Sequence, residues 1–240
     1  MNIIVAKDYE EMSRIAAEHL LALMYQRKRI NLAITGGSSP TKMYEMLAPR
    51  VKNNAYFSNV HYYNFDEIPF KGQDRAGITL KDITNKYLEP ASVPGGNIHP
   101  LTVENYSKQD ERIKEDGGLD AILIGIGEDG HFCGNLPGTT RFENETYCIQ
   151  TDEVPGMREM LKAVMGGDET AVPDRWVTMG PKSVMHARQI ILIANGTKKA
   201  KILKKALQGR VTEDIPSSIL QLHPNLTVIL DQEAAQLLAL

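Results

Sequence analysis

The sequence predicts an α/β fold, with a mostly parallel sheet covered by helices on both faces. Three observations carry this expectation. Short β-rich runs alternate with longer helical patterns along all 240 residues. Two of the runs, Ala121-Ile122-Leu123-Ile124 and Ile190-Ile191-Leu192-Ile193, are continuously apolar, as strands covered on both faces tend to be. No internal repeat, low-complexity tract or linker interrupts the alternation, so residues 1–240 read as a single domain.

Strands are predicted over 3–5, 30–35, 61–65, 121–126, 176–179, 189–194 and 226–230. The first helix is predicted over 9–27, where Met12, Ile15, Ala16, Leu20 and Leu23 recur at spacings of three and four. Weaker helical patterns cover 41–47, 79–88, 106–115, 197–207 and 232–238. The resulting arrangement is Rossmann-like. The stretch 137–173, with Gly166-Gly167 and scattered charges, reads as either a lid or an ordinary excursion.

Composition excludes several classes of function. A net charge of −3 offers no basic field for nucleic acid, so an anionic ligand would need a local cluster of donors. The two cysteines, Cys133 and Cys148, make neither a disulfide framework nor a metal-ligand set, which fits a reducing compartment. Asn2-Ile3-Ile4-Val5 runs into charged residues without a cationic leader, and no stretch approaches the ~20 apolar residues of a spanning helix. These features lead to the expectation of a cytoplasmic protein with no membrane or nucleic-acid partner.

In open parallel sheets, ligands bind beyond the carboxyl ends of the strands. Four polar or glycine-rich segments lie there. Thr35-Gly36-Gly37-Ser38-Ser39-Pro40-Thr41 follows the second strand, with Ser39 as a candidate N-cap and Pro40 suited to the first helical position. Its glycines allow close backbone approach, and free N–H groups with the helix dipole attract an anion. The competing reading is a plain strand-to-helix turn, since the loop matches neither the P-loop nor the dinucleotide fingerprint.

Asn64-Phe65-Asp66-Glu67 places two acids at a strand end, one of them a candidate general base, although a solvated turn would look the same. Gly125-Ile126-Gly127-Glu128-Asp129-Gly130-His131 follows the most apolar strand. Asp129 and His131 can pair only if the glycines bend the backbone between them, and such a pair orients an imidazole. Two candidate ligands without a third argue against a metal site. Asn195-Gly196-Thr197-Lys198-Lys199 puts lysines where a helix dipole opposes them. A bound anion would offset that cost at Lys199, while the lysines that follow read as a solvated face.

These four segments, in this order, resemble the glucosamine-6-phosphate deaminase/isomerase family and the related 6-phosphogluconolactonases. Gly127-Glu128-Asp129-Gly130-His131 is the most specific piece, and Ser218-Ile219-Leu220-Gln221-Leu222-His223-Pro224-Asn225 looks like the deaminase branch. The resemblance implies an enzyme acting on an amino-sugar 6-phosphate, without metal or organic cofactor. It implies that Asp66 shuttles a proton between C1 and C2 of the open-chain sugar. It further implies that His131, supported by Asp129, assists ring opening, and that Gly36, Gly37, Ser38 and Lys199 hold the phosphate. An arginine normally joins these groups, and Arg158 and Arg175 are the candidates.

Two positions depart from the pattern. Leu136 stands where deaminases carry a relay glutamate, and Ile68 stands where lactonases typically carry an arginine. Leu136 makes lactone hydrolysis the alternative activity, while Ile68 and the segment 218–225 speak against it. Relatives occur as monomers and as larger assemblies, so a homo-oligomer is one expectation among others.

Overall fold

In the computed structural model, which describes residues 1–73 and 76–240, seven parallel strands form the central sheet. They are β1 (Asn2–Ala6), β2 (Ile30–Ala33), β3 (Val60–Tyr63), β5 (Ile98–His99), β6 (Ala121–Ile124), β9 (Ile190–Ala194) and β10 (Leu226–Asp231), in the order β1-β10-β9-β6-β2-β3-β5. Every residue of β2, β6, β9 and β10 is buried. The continuous apolar runs follow from this: helices cover both faces, so no position in these strands alternates toward water.

The helix α1 (Tyr9–Met24) illustrates how local sequence sets an element. The Asp8 carboxylate accepts the Glu11 N–H at 2.8 Å, and Glu10 and Glu11 occupy the positive first turn. Met12, Ala16, Leu20, Leu21 and Met24 form its buried stripe. Losing a cap of this kind costs ~0.5–2 kcal/mol. The remaining helices are α2 (Thr41–Val51), α3 (Ile78–Ile83), α4 (Gln109–Glu115), α5 (Met157–Val164), α6 (Pro181–Met185), α7 (Ala200–Gln208) and α8 (Gln232–Ala235). A π-helical turn, Thr84–Leu88, continues α3.

Three differences from the sequence reading matter. The run at 176–179 does not enter the parallel sheet. As β8 (Arg175–Thr178) it is the middle of a second, antiparallel sheet, between β4 (Asp66–Glu67) and β7 (Tyr147–Gln150). The stretch 137–173 is an ordered excursion: it supplies β7 and α5, and Ile149, Met157, Leu161 and Val172 pack there with Trp176 in an apolar cluster of their own. Ser39 does not cap α2. The helix starts after Pro40, and the Ser39 hydroxyl instead donates to Asn195 Oδ1 at 3.0 Å.

The strand order explains where a ligand can sit. Connections from β2 run outward through β3 to β5, whereas those from β6 run the other way through β9 to β10. The chain reverses direction between β2 and β6. At such a switch point the loops after the two strands splay apart and leave a crevice.

Candidate active site

A cleft of about 540 Å³ opens at that switch point. Its walls come from the loop after β2 (Thr35 to Pro40), from Phe65 and Asp66, from Gly125 to Asp129 with His131 and Cys133 after β6, and from Lys199 after β9. All four segments chosen from the sequence therefore meet in one place. A larger cleft of about 820 Å³ lies beyond Glu67, lined by Lys71, Asp174 and Arg175 among others. Chemistry rather than size identifies the site, because the acid, the imidazole and the glycine loop converge only on the smaller cleft.

The imidazole is set by a tight turn. Gly127 N–H donates to His131 O at 2.8 Å, and Gly130, at φ 96°, donates to Gly127 O at 3.1 Å. This turn folds Asp129 back onto His131. One carboxylate oxygen accepts the His131 backbone N–H at 3.1 Å and lies 2.7 Å from Nδ1. The hydrogen bond from His131 holds the Asp129 carboxyl down at about 2, so it is ionised at neutral pH. An ionised carboxylate only accepts, so Nδ1 carries the proton and Nε2 is the nitrogen left for proton exchange. A Cβ at position 127 would overlap both the imidazole and the Asp129 carboxylate, which is why glycine stands there.

Asp66 arrives by a different route. Asn64 is buried where the chain leaves the parallel sheet; its amide donates to Asp66 O at 2.9 Å, and its Oδ1 accepts the Leu101 N–H at 2.8 Å. The next residues form β4. Consecutive side chains of a strand point to opposite faces, so Asp66 and Glu67 separate. Asp66 faces the cleft with His131. Burial pushes its carboxyl up to about 6, against the Thr79 hydroxyl bond and the His131 imidazole, which both favour the anion. Glu67 turns inward and accepts N–H groups from Thr79 at 2.9 Å, Leu80 at 3.0 Å and Ile68 at 3.0 Å. It is the N-terminal anchor of α3, pushed up to about 7 chiefly by burial.

At the other end of the cleft, α2 points its N-terminus at the glycine loop. The backbone N–H groups of Ser38 and Ser39 have no partner among the described residues. Lys199 sits at the start of α7, where the Gly196 N–H is fixed by both oxygens of Asp231 at 3.0 Å. It forms no ion pair among the described residues, and burial lowers its ammonium below the usual range. Free N–H groups, a helix N-terminus and an unpaired ammonium make an anion site. Among the described residues, no group of three or more His, Cys, Asp or Glu side chains is arranged to hold a metal ion.

The sequence profile described as glucosamine-6-phosphate isomerases/6-phosphogluconolactonase matches residues 7–229. The chain belongs to this family. It is 32% identical over 245 residues to the glucosamine-6-phosphate deaminase of Clostridium acetobutylicum, covering 99% of this chain and 100% of the relative. It is 36% identical to that of Shouchella clausii, covering 98% and 96%. A solved monomeric glucosamine-6-phosphate deaminase superimposes with a TM-score of 0.83 at 25% identity, covering 99% of this chain and all of that one. The 6-phosphogluconolactonase of Trypanosoma cruzi, at 21% identity and a TM-score of 0.76 over 100% and 97% of the two chains, shares the fold.

Four residues read from the sequence fall differently: three lie outside this isomerase/lactonase-family cleft, and Gly37 is already engaged within it. Arg158 is outside it. Its guanidinium makes a two-point bond to Asp152, at 2.7 and 2.9 Å, on the exposed side of α5. Arg175 lines the larger neighbouring cleft. The Gly37 N–H is already taken by Asp82, 2.8 Å away, although Gly37 still lines the wall. Leu136 does not line the cleft; it packs against the apolar cluster around Trp176 and Leu161. The roles of Glu67 and Asp82 have no sequence signal of their own, because each accepts backbone N–H groups brought near only by folding.

Proposed function

We propose that this protein converts glucosamine 6-phosphate to fructose 6-phosphate and ammonia. The observation that carries the reading is one cleft with Asp66 and the Asp129–His131 pair at one end, and Ser38, Ser39 and Lys199 at the other. The phosphate docks on the loop N–H groups and Lys199. His131 Nε2 carries the proton between O1 and the ring oxygen as the pyranose opens. Asp66 removes the C2 proton and returns it to C1, while O1 takes up a proton and the amine gives one up, leaving an imine at C2 and a hydroxyl at C1. Water adds at that carbon, and ammonia departs with the ketose remaining.

A carboxyl raised to about 6 suits this step, since it is mostly ionised at pH 7 yet more basic than an exposed aspartate. Fixing the phosphate supplies orientation, which is worth up to ~7–11 kcal/mol in well-aligned reactions. The relationship to curated deaminases over nearly the whole chain supports the same reading.

The second reading, 6-phosphogluconolactone hydrolysis, is favoured by the apolar residue at position 136. There His131 would activate water and Asp66 would have no step to perform. Measuring ammonia release from glucosamine 6-phosphate beside lactone hydrolysis decides between them. Lactone hydrolysis without ammonia release would reverse the order of the two readings.

A further inference from the structure

The two ends of the cleft are joined by one helical segment, α3 with its π-turn. At its N-terminus, Glu67 accepts the Thr79 and Leu80 N–H groups while its neighbour Asp66 faces the cleft. One turn later, Asp82 Oδ2 accepts the Gly37 N–H at 2.8 Å. Four residues beyond, Lys86 Nζ donates to Gly37 O at 2.7 Å and to Asp82 Oδ2 at 2.8 Å. Both sides of the Gly37 residue are thus clasped, its N–H by a carboxylate and its C=O by an ammonium.

Three features show that this clasp is built. Gly37 holds φ at 86°, which glycine adopts without strain. A Cβ on Gly36 would lie 2.9 Å from Asp82 Oδ2, so the glycine there makes room for the carboxylate. The π-turn falls within the clasp and carries Lys86; such turns are rare in helices and frequent at functional sites. An aspartate beside an anion site would otherwise repel the ligand, but Lys86 neutralises it on the spot.

From this geometry we propose that Asp82, with Lys86, is a positioning residue: it fixes the Gly37 peptide so that the next N–H groups, those of Ser38 and Ser39, are presented to the substrate phosphate. The inference rests on the phosphate reading of the loop. Asp82 touches no reacting atom, so its removal weakens phosphate binding and leaves proton transfer alone.

The test compares Asp82→Ala and Asp82→Asn with the wild-type protein, using glucosamine 6-phosphate turnover and calorimetric binding of inorganic phosphate. Asp82→Ala is expected to raise KM and the phosphate Kd together, by about tenfold or more, as for a lost hydrogen bond to a charged group. Its kcat stays within about threefold, and its pH profile keeps the wild-type shape. Asp82→Asn, whose amide oxygen still accepts the Gly37 N–H, restores both constants toward wild type.

Unchanged KM and phosphate Kd in Asp82→Ala would overturn the inference. So would tighter phosphate binding in both variants, since the carboxylate would then be a competing anion. Should Asp82→Ala fail to fold, Lys86→Met is read in the same way, with raised KM and phosphate Kd expected and unchanged values overturning. Wild-type protein that binds no phosphate would sink the reading of the loop itself, a result distinct from equal binding by wild type and variant.

Discussion

Asp66→Asn separates activity from stability. As the proposed base, Asp66 should contribute what placed bases typically do, ~10²–10⁴-fold in rate. The asparagine cannot take a proton, so ammonia release should fall by that factor while inorganic phosphate still binds. In the wild type, kcat/KM should fall about tenfold per pH unit below about 6, where Asp66 is protonated.

The same substitution should stabilise the protein. In an unfolded chain an aspartate loses its proton near pH ~3.9; in the fold Asp66 holds it to about 6. Between those values the native state binds more protons than the unfolded state, so stability falls as pH rises through the window. Above about pH 6 the whole penalty is present. A shift of about two units corresponds to ~3 kcal/mol, and partial contact with solvent in the cleft brings this to ~1–3 kcal/mol. For a chain of this size that is ~3–10 °C in Tm. Thermal or urea denaturation of both proteins at pH 4 and pH 8 reads the effect. The stabilisation should appear at pH 8 and vanish near pH 4. A variant that keeps turnover, or whose stability difference is the same at both pH values, would refute the reasoning.

Lys199→Met should raise KM and weaken inorganic phosphate binding by ~10-fold or more with a smaller effect on kcat, since it removes the unpaired ammonium of the cleft; unchanged phosphate affinity would remove Lys199 from the site. Gly127→Ala should cost activity more than stability, because the new methyl displaces the imidazole and the Asp129 carboxylate rather than core side chains; a wild-type kcat would contradict that packing. Asp129→Asn should lower kcat by ~10²-fold or more by loosening the preference for the Nδ1-protonated tautomer, and kinetics across pH 6–8 would show it. Arg158→Ala should leave KM for glucosamine 6-phosphate within about twofold, as its guanidinium is committed to Asp152.

Much of this arrangement was legible in the chain. The strands β6 and β9 announce themselves because burial on both faces leaves no polar position in them. The loops were found by a rule about parallel sheets, and the glycines of 125–130 signalled the turn that folds Asp129 onto His131. The second sheet was not legible. Its strand β4 has two residues, and β8, which pairs antiparallel with both β4 and β7, lies far along the chain from β4. Asp82 and Lys86 show only an ordinary helical pair spacing, whereas their target, Gly37, is 45 residues from Asp82. Arg158 reads as a phosphate candidate in the sequence because its identity says nothing of Asp152, the partner that holds it.

The partition of the Asp66-Glu67 pair explains how one scaffold can favour proton shuttling over lactone hydrolysis. Both chemistries need an imidazole and a grip on phosphate; only the shuttle needs a second base across the substrate. Strand alternation sends Glu67 to anchor α3 and leaves Asp66 alone over the cleft, so each acid has a distinct task. Asp129, held down at about 2 chiefly by its hydrogen bond with His131, shows the opposite setting within the same cleft. Asp66 is instead drawn from water with few donors and held near neutrality, an arrangement that costs stability. In the alternative lactonase reading His131 would activate water, and a second base would have no step to perform. In the proposed reaction it is the cleft-facing position of Asp66, opposite in strand alternation to Glu67, that supplies this second base.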